Sequence, residues 1–95
     1  LTTQQRDLFD LPLLPDEFGK ITAVILDPPR SGAIAQCQQI AQSHISTIAM
    51  ASCNPASFVR DAACLTTAGL CLDWVQPVDQ FNHSNHLELV GAFSR

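Results

Sequence analysis

The chain has 95 residues, 46% of them hydrophobic, and a formal net charge of -4. This is the size of one small domain with enough apolar content for a core; a disordered tail is excluded, as is a membrane-spanning helix, because no apolar run is long enough to cross a bilayer. The acidic balance argues against a dedicated nucleic-acid module, which neutralises phosphate with basic residues, but not against RNA handled mainly by another part of a larger protein.

The opening run Leu1-Thr2-Thr3-Gln4-Gln5-Arg6-Asp7 is polar and lacks a signal-peptide pattern. The chain does not start with Met, which points to a piece of a longer protein. Residues 1–7 read as the tail of another strand, and Leu11-Pro12-Leu13-Leu14-Pro15 as a proline-broken loop. Ile21-Thr22-Ala23-Val24-Ile25-Leu26 predicts a strand buried on both faces, ended by Asp27-Pro28-Pro29. A helix follows from Gly32 to about Ser43, with Ser31 as its cap and Ile34, Cys37 and Ala41 at helical spacing beside Ile40. Residues 45–51 predict a second buried strand. Two strands joined by a helix form a right-handed βαβ unit. Asn54 and Pro55 then start a helix over residues 56–68. Phe58, Ala62 and Leu65 share one of its faces, and Gly69 stops it. Residues 70–75 predict a third strand ended by Pro77, and residues 87–93 a fourth. The short connection between these last two makes them antiparallel.

Four cysteines, Cys37, Cys53, Cys64 and Cys71, form no C-x-x-C pair and no common zinc spacing, so no metal site is expected. Cys37, Cys64 and Cys71 read as buried free thiols. A chain with this much core needs no disulfide framework, and the context read from it is reducing and cytoplasmic. Cys53 differs by position. It lies in Ser52-Cys53-Asn54-Pro55, at the carboxyl end of a strand and the amino end of a helix. Open α/β sheets bind ligands there, and a helix start favours thiolate over thiol. A small core residue is the plainer reading.

Asp27 ends the neighbouring strand at the same sheet edge. It can satisfy turn N–H groups or face Cys53. Arg30 can hold a phosphate or a carboxylate, or stand exposed at the helix start. Glu88 sits inside the apolar run Leu87-Glu88-Leu89-Val90, either on a solvated face or as a base in a cleft. His86, two residues earlier, shares its strand face if the strand includes it, and there contacts Glu88 or substrate; a partly exposed surface histidine is the plainer reading. Asp79 falls in a loop with Phe81. There it is either a turn former or part of a substrate loop in which the ring stacks on a base.

The stretches ILDPPRSGA (residues 25–33), ASCNPASFVRD (51–61), VQPVDQF (75–81) and HLELV (86–90) resemble the C-terminal part of the RNA (uracil-5-)-methyltransferases. Ser-Cys-Asn-Pro with a downstream His-x-Glu is the specific element, whereas Asp-Pro-Pro also occurs in amino-methyltransferases. The resemblance implies an α/β chain forming the C-terminal half of a Rossmann-like class I methyltransferase fold. Its sheet is mixed, and the antiparallel last strand inserts between the second and third. Residues 1–20 would be a remnant strand and loop, and residues 21–95 the catalytic half. The implied reaction is S-adenosyl-L-methionine-dependent methylation of uridine C5 in RNA, with ribosomal RNA favoured over transfer RNA. Cys53 would be the nucleophile, Glu88 the base and Asp27 a cofactor contact. Arg30, Asn54, Asp79, Phe81 and His86 would lie toward the substrate.

This sequence departs from the family in Phe81-Asn82-His83-Ser84, where a Phe-Pro-x-Thr-like run is usual. The Gly-rich cofactor loop belongs before residue 1, so the isolated piece is expected to bind cofactor weakly or not at all and to be inactive. Asp7 reads as a remnant of the adenine edge. The free edge of the first strand is expected to be exposed, or covered by residues 1–18 or by another copy of the chain. Two other readings stand beside this one. One is an exocyclic-amine methyltransferase using Asp-Pro-Pro, and the other a non-catalytic α/β docking domain.

Overall fold

A computed structural model of the chain describes residues 3–79 and 87–95. Its elements are β1 (Ala23–Leu26), α1 (Ile34–Ala41), β2 (Thr47–Ser52), α2 (Pro55–Thr67), β3 (Cys71–Asp79) and β4 (Leu87–Ser94). A short 3-10 helix, Pro15–Phe18, precedes them. The sheet order is β1-β2-β4-β3. The first pair is parallel, and β4 runs antiparallel to both of its neighbours. This is the mixed sheet expected from the sequence. The helix α1 supplies the crossover that parallel strands need, whereas residues 80–86 between β3 and β4 are too few for one.

Period-two burial sorts the sheet into two faces. Ile48, Met50 and Ser52 of β2 are buried and pair with Phe93, Gly91 and Leu89 of β4. With Leu26, they meet Cys37 and Ile40 of α1 and Phe58, Ala62 and Leu65 of α2 in one core. Both helices therefore cover the same side of the sheet. The expectation that the first strand is buried on both faces is overturned: Ile25 is 84% exposed. As β1 is an edge strand, only its alternate residues reach the helices. Its β-branched run reflects strand preference as much as burial.

The helix α1 starts later than anticipated, and Ser31 does not cap it. Its N-cap is Ala33, without a side-chain cap of its own. The Gly32 N–H instead donates to the Pro29 carbonyl (2.9 Å) in a tight turn that places Gly32 at φ 82°. The cap comes from α2: the Asp61 carboxylate accepts the Ala33 N–H at 2.7 Å. At the other end, the Arg95 guanidinium donates to the carbonyls of Ile40 and Ser43 (3.1 and 2.6 Å), a cation at a helix C-terminus.

The reading of α2 holds. The Asn54 side chain accepts the Ala56 N–H, Pro55 follows it, and Gly69 takes φ 108° just past the end. Pro77, however, does not stop β3, which continues to Asp79 and pairs Pro77 with Leu89. As an edge strand, β3 tolerates a residue that cannot donate on its open side. Cys71 lies on this edge strand and is exposed, not buried, while Cys37 is buried and Cys64 intermediate.

Residues 3–7 show no regular structure. The segment that follows is tied down by side chains. Gln36 is buried, accepts the Leu13 N–H (2.8 Å) and donates to the Leu13 carbonyl (3.0 Å). Arg6 pairs with both Glu17 carboxylate oxygens at 2.8 and 3.0 Å. None of the described helices is long and apolar enough to cross a membrane.

Candidate active site at the strand ends

Three candidate residues lie at one end of the sheet. The last β2–β4 pair is Ser52 with Leu89, so the register carried one step further sets Cys53 opposite Glu88. Opposed residues on antiparallel neighbours share a face, with Cβ atoms about 4.5–5.5 Å apart. On β1 the last pair is Leu26 with Met50, and the next step sets Asp27 beside Ala51, one strand over and two residues short of Cys53. Parity carried one step past the last ladder pairs assigns Asp27, Cys53 and Glu88 to the face the helices leave open, with Cys53 in the bend that follows β2. Cys53 and Glu88 are both half-buried, and Asp27 is exposed.

The loop after β1 is pinned to the turn after β2. Nδ2 of Asn54 donates to the Arg30 carbonyl at 2.9 Å, while Oδ1 of the same side chain caps α2 at Ala56 N (3.1 Å). The Ser57 hydroxyl lies 2.9 Å from that Arg30 carbonyl. Ser52 is buried, and its Oγ accepts the Asn54 N–H at 3.2 Å, which tightens the turn that carries Cys53. Asn54 is thus already engaged in joining the two loops. Arg30 is exposed, and its carbonyl is what these contacts hold.

Asp79 is not in a loop: it is the last residue of β3 and pairs with Leu87, because the strand runs on past Pro77. Phe81 and His86 lie outside the described residues. Val78 sits across from Glu88 on the other side of β4.

A cavity of about 400 Å³ opens at the end of β1. It is lined by Asp7 and Phe9 on one side and by Ile25, Asp27 and Pro28 on the other. The Asp7 carboxylate also accepts the Phe9 N–H (2.9 Å), which shapes this wall. The sequence reading flagged Asp7 and Asp27 separately, and the fold brings them to one cavity. It missed Phe9, and it missed the side chains of α2 that hold the site. Asp61 had a visible signal. It falls at helical spacing with Phe58, Ala62 and Leu65, a carboxylate in an otherwise apolar stripe, and it is 1% exposed.

No family model matches the chain. An uncharacterised RNA methyltransferase of Caulobacter vibrioides is 46% identical over all 95 residues. The 23S rRNA (uracil(1939)-C(5))-methyltransferase RlmD of Chromohalobacter salexigens is 40% identical over 86 residues, 90% of this chain and 18% of that one. A solved tRNA (uracil-54, C5)-methyltransferase of Pyrococcus abyssi, in complex with S-adenosyl-L-homocysteine, superposes with a TM-score of 0.69 at 32% identity. That match covers 79% of this chain and 18% of that one. The chain belongs to the RNA (uracil-5-)-methyltransferase family. The chain spans 23% of the length of the Caulobacter relative. Its sheet is the class I methyltransferase sheet expected from the resemblance, with the antiparallel β4 between β2 and β3.

Proposed function

We propose that the protein containing this chain methylates C5 of uridine in RNA through a covalent adduct to Cys53, with Glu88 as base. The observation that supports it most is the β2–β4 register, whose last pair, Ser52 with Leu89, leaves Cys53 and Glu88 as the next positions on the two strands. Uracil C5 is a poor nucleophile. Addition of the Cys53 thiolate to C6 forms an S–C bond and moves the C5–C6 π pair onto C5 and O4 as an enolate. In the same site S-adenosyl-L-methionine, when bound, supplies the electrophilic methyl group that C5 takes up. Glu88 then removes the C5 proton. The electron pair left behind restores the C5–C6 double bond and expels the Cys53 thiolate. The target base must leave its stack to reach a thiol at a strand end.

The cavity at the end of β1 suits the adenosine side of the cofactor. It joins apolar surface from Phe9, Ile25 and Pro28 to the carboxylates of Asp7 and Asp27, and those carboxylates can accept hydrogen bonds from hydroxyl and amino groups. Asp27 lies at the junction of this cavity and the Cys53 edge, and is proposed as the cofactor contact. Asn54 acts by holding the two loops together. Arg30, Asp79, Phe81 and His86 are proposed to face the RNA. Ribosomal RNA is the preferred substrate class, in line with the higher identity to the rRNA-acting relative (40%) than to the tRNA-acting structure (32%). The protein is proposed to act in the cytoplasm. The 95-residue stretch alone, a fifth to a quarter of its relatives, is proposed to be inactive.

The test is mechanism-based trapping with the full-length protein and an RNA carrying 5-fluorouridine. Fluorine cannot leave C5 as a proton does, so a protein–RNA adduct should persist, and Cys53→Ala should abolish it. An adduct that survives in Cys53→Ala removes Cys53 as nucleophile. Methylation retained by that variant would favour transfer to an exocyclic amine. Glu88→Gln should lower turnover on the order of a hundredfold or more and let adduct build up on ordinary uridine RNA.

A further inference from the structure

The first two turns of α2 grip the loop of residues 27–33 along their length. Asn54 and Ser57 hold the Arg30 carbonyl. The Arg60 guanidinium donates to the Ser31 carbonyl at 2.5 Å. Asp61 accepts the Ala33 N–H at 2.7 Å, and its other oxygen lies 3.3 Å from Arg60 Nη2. These residues stand at spacings of three, three and one, so they lie on one helical face. Gly32 completes the fit. A Cβ there would come within 2.7 Å of the Asp61 carboxylate and 3.0 Å of Ser57 Cβ. The loop begins with Asp27, and α2 begins two residues after Cys53. Whatever fixes helix to loop therefore also fixes Asp27 relative to Cys53.

We propose that Asp61, acting with Arg60 and Ser57, is a positioning residue that locks the 27–33 loop to α2 and so sets the gap between the Asp27 carboxylate and the Cys53 thiol. The proposal rests on the nucleophilic reading of Cys53 given above. Asp61 is 1% exposed. It acts through backbone: the Ala33 N–H at one end of the loop and, by way of Arg60, the Ser31 carbonyl. A carboxylate buried on a helix is costly unless it is paired and hydrogen-bonded, and here both conditions are met by the loop it holds and by Arg60. A misplacement of about 1 Å at a reacting centre can lower a rate by roughly a hundredfold, so a clamp of this kind reaches the chemistry without contact with substrate.

The experiment measures the rate of adduct formation between the full-length protein and 5-fluorouridine RNA at saturating RNA, at a temperature where circular dichroism shows each variant folded. Asp61→Ala should slow trapping on the order of tenfold to a hundredfold, with little change in the RNA concentration that gives half-maximal rate. Asp61→Asn keeps an oxygen for the Ala33 N–H and should recover most of the rate. Gly32→Ala leaves the carboxylate in place but pushes a methyl group into the clamp, and should slow trapping as Asp61→Ala does. If Asp61→Ala fails to fold, Gly32→Ala and Ser57→Ala carry the test through the same rate. Folded variants that trap at the wild-type rate, or whose loss appears only as weaker RNA binding or a lower melting temperature, overturn the proposal. A wild-type protein that forms no adduct removes the Cys53 reading and this inference together. Normal wild-type trapping with unimpaired clamp variants defeats the inference alone.

Discussion

Cys37 and Cys71 show how far identical side chains diverge with their surroundings. Cys37 is fully buried in the core, and burial, with further contributions from Asp61 and Cys64, pushes its pKa up from 9.0 to about 12. The folded state therefore holds a proton that the unfolded state releases above pH 9. Stability is unaffected below that pH and is lost as pH rises toward 12, by up to about 1.4 kcal/mol per pH unit in between. Urea melts at pH 8 and pH 10.5 should show this alkaline loss, and iodoacetamide at pH 8 should label Cys71 well before Cys37. Labelling of Cys37 at the rate of Cys71 in the native protein would contradict the burial. Cys37, Cys64 and Cys71 read alike in the sequence, because each has small or apolar neighbours. The exposure of Cys71 follows from β3 being an edge strand, which depends on the place β4 takes in the sheet.

The two helices contrast in how they are specified. For α2, cap, N1 proline, apolar stripe and terminal glycine are all local, and its limits were legible within one residue. For α1, the N-terminus depends on Asp61, 28 residues away, and its C-terminus on Arg95, more than 50 residues away. No local pattern could reveal either. Packing between α2 and β4 gives the test at this scale. A Cβ on Gly91 would lie 2.7 Å from Cζ of Phe58, whose ring packs against Phe93 with centroids 6.4 Å apart. Gly91→Ala should therefore lower stability by about 1–3 kcal/mol through overpacking. Phe58→Leu in the same background should relieve part of that loss. A neutral Gly91→Ala, read from chemical denaturation, would mean that the two elements pack less closely than described.

At the scale of the whole molecule, the segment before β1 belongs to the site because side chains hold it there. Gln36 binds Leu13 through both ends of its amide, and Arg6 clasps Glu17, so Asp7 and Phe9 are presented to the cavity beside Asp27. Hydrogen bonds from Arg6 and from the Leu14 backbone hold the Glu17 carboxyl below its ordinary pKa. Replacing Gln36 by Ala leaves the half-buried Leu13 N–H and carbonyl without these partners. It should raise hydrogen exchange across residues 6–18 on the order of tenfold or more, while β2 and β4 keep their protection. Exchange unchanged in that segment would show that other contacts suffice to dock it.

By itself, the sequence determined the kind and order of the main elements, the mixed sheet and the residues able to do chemistry at its strand ends. Those follow from periodicity, caps and turn formers that act within a few residues, and from motifs such as Ser52-Cys53-Asn54-Pro55. Only the tertiary structure decided that Ile25 faces outward, that Asp7 and Asp27 share a cavity, and that Asp61 holds the loop beside Cys53. Each of these depends on pairing register or on a hydrogen bond spanning more than twenty residues, and such partners are chosen by how the layers pack rather than by any neighbour in the chain.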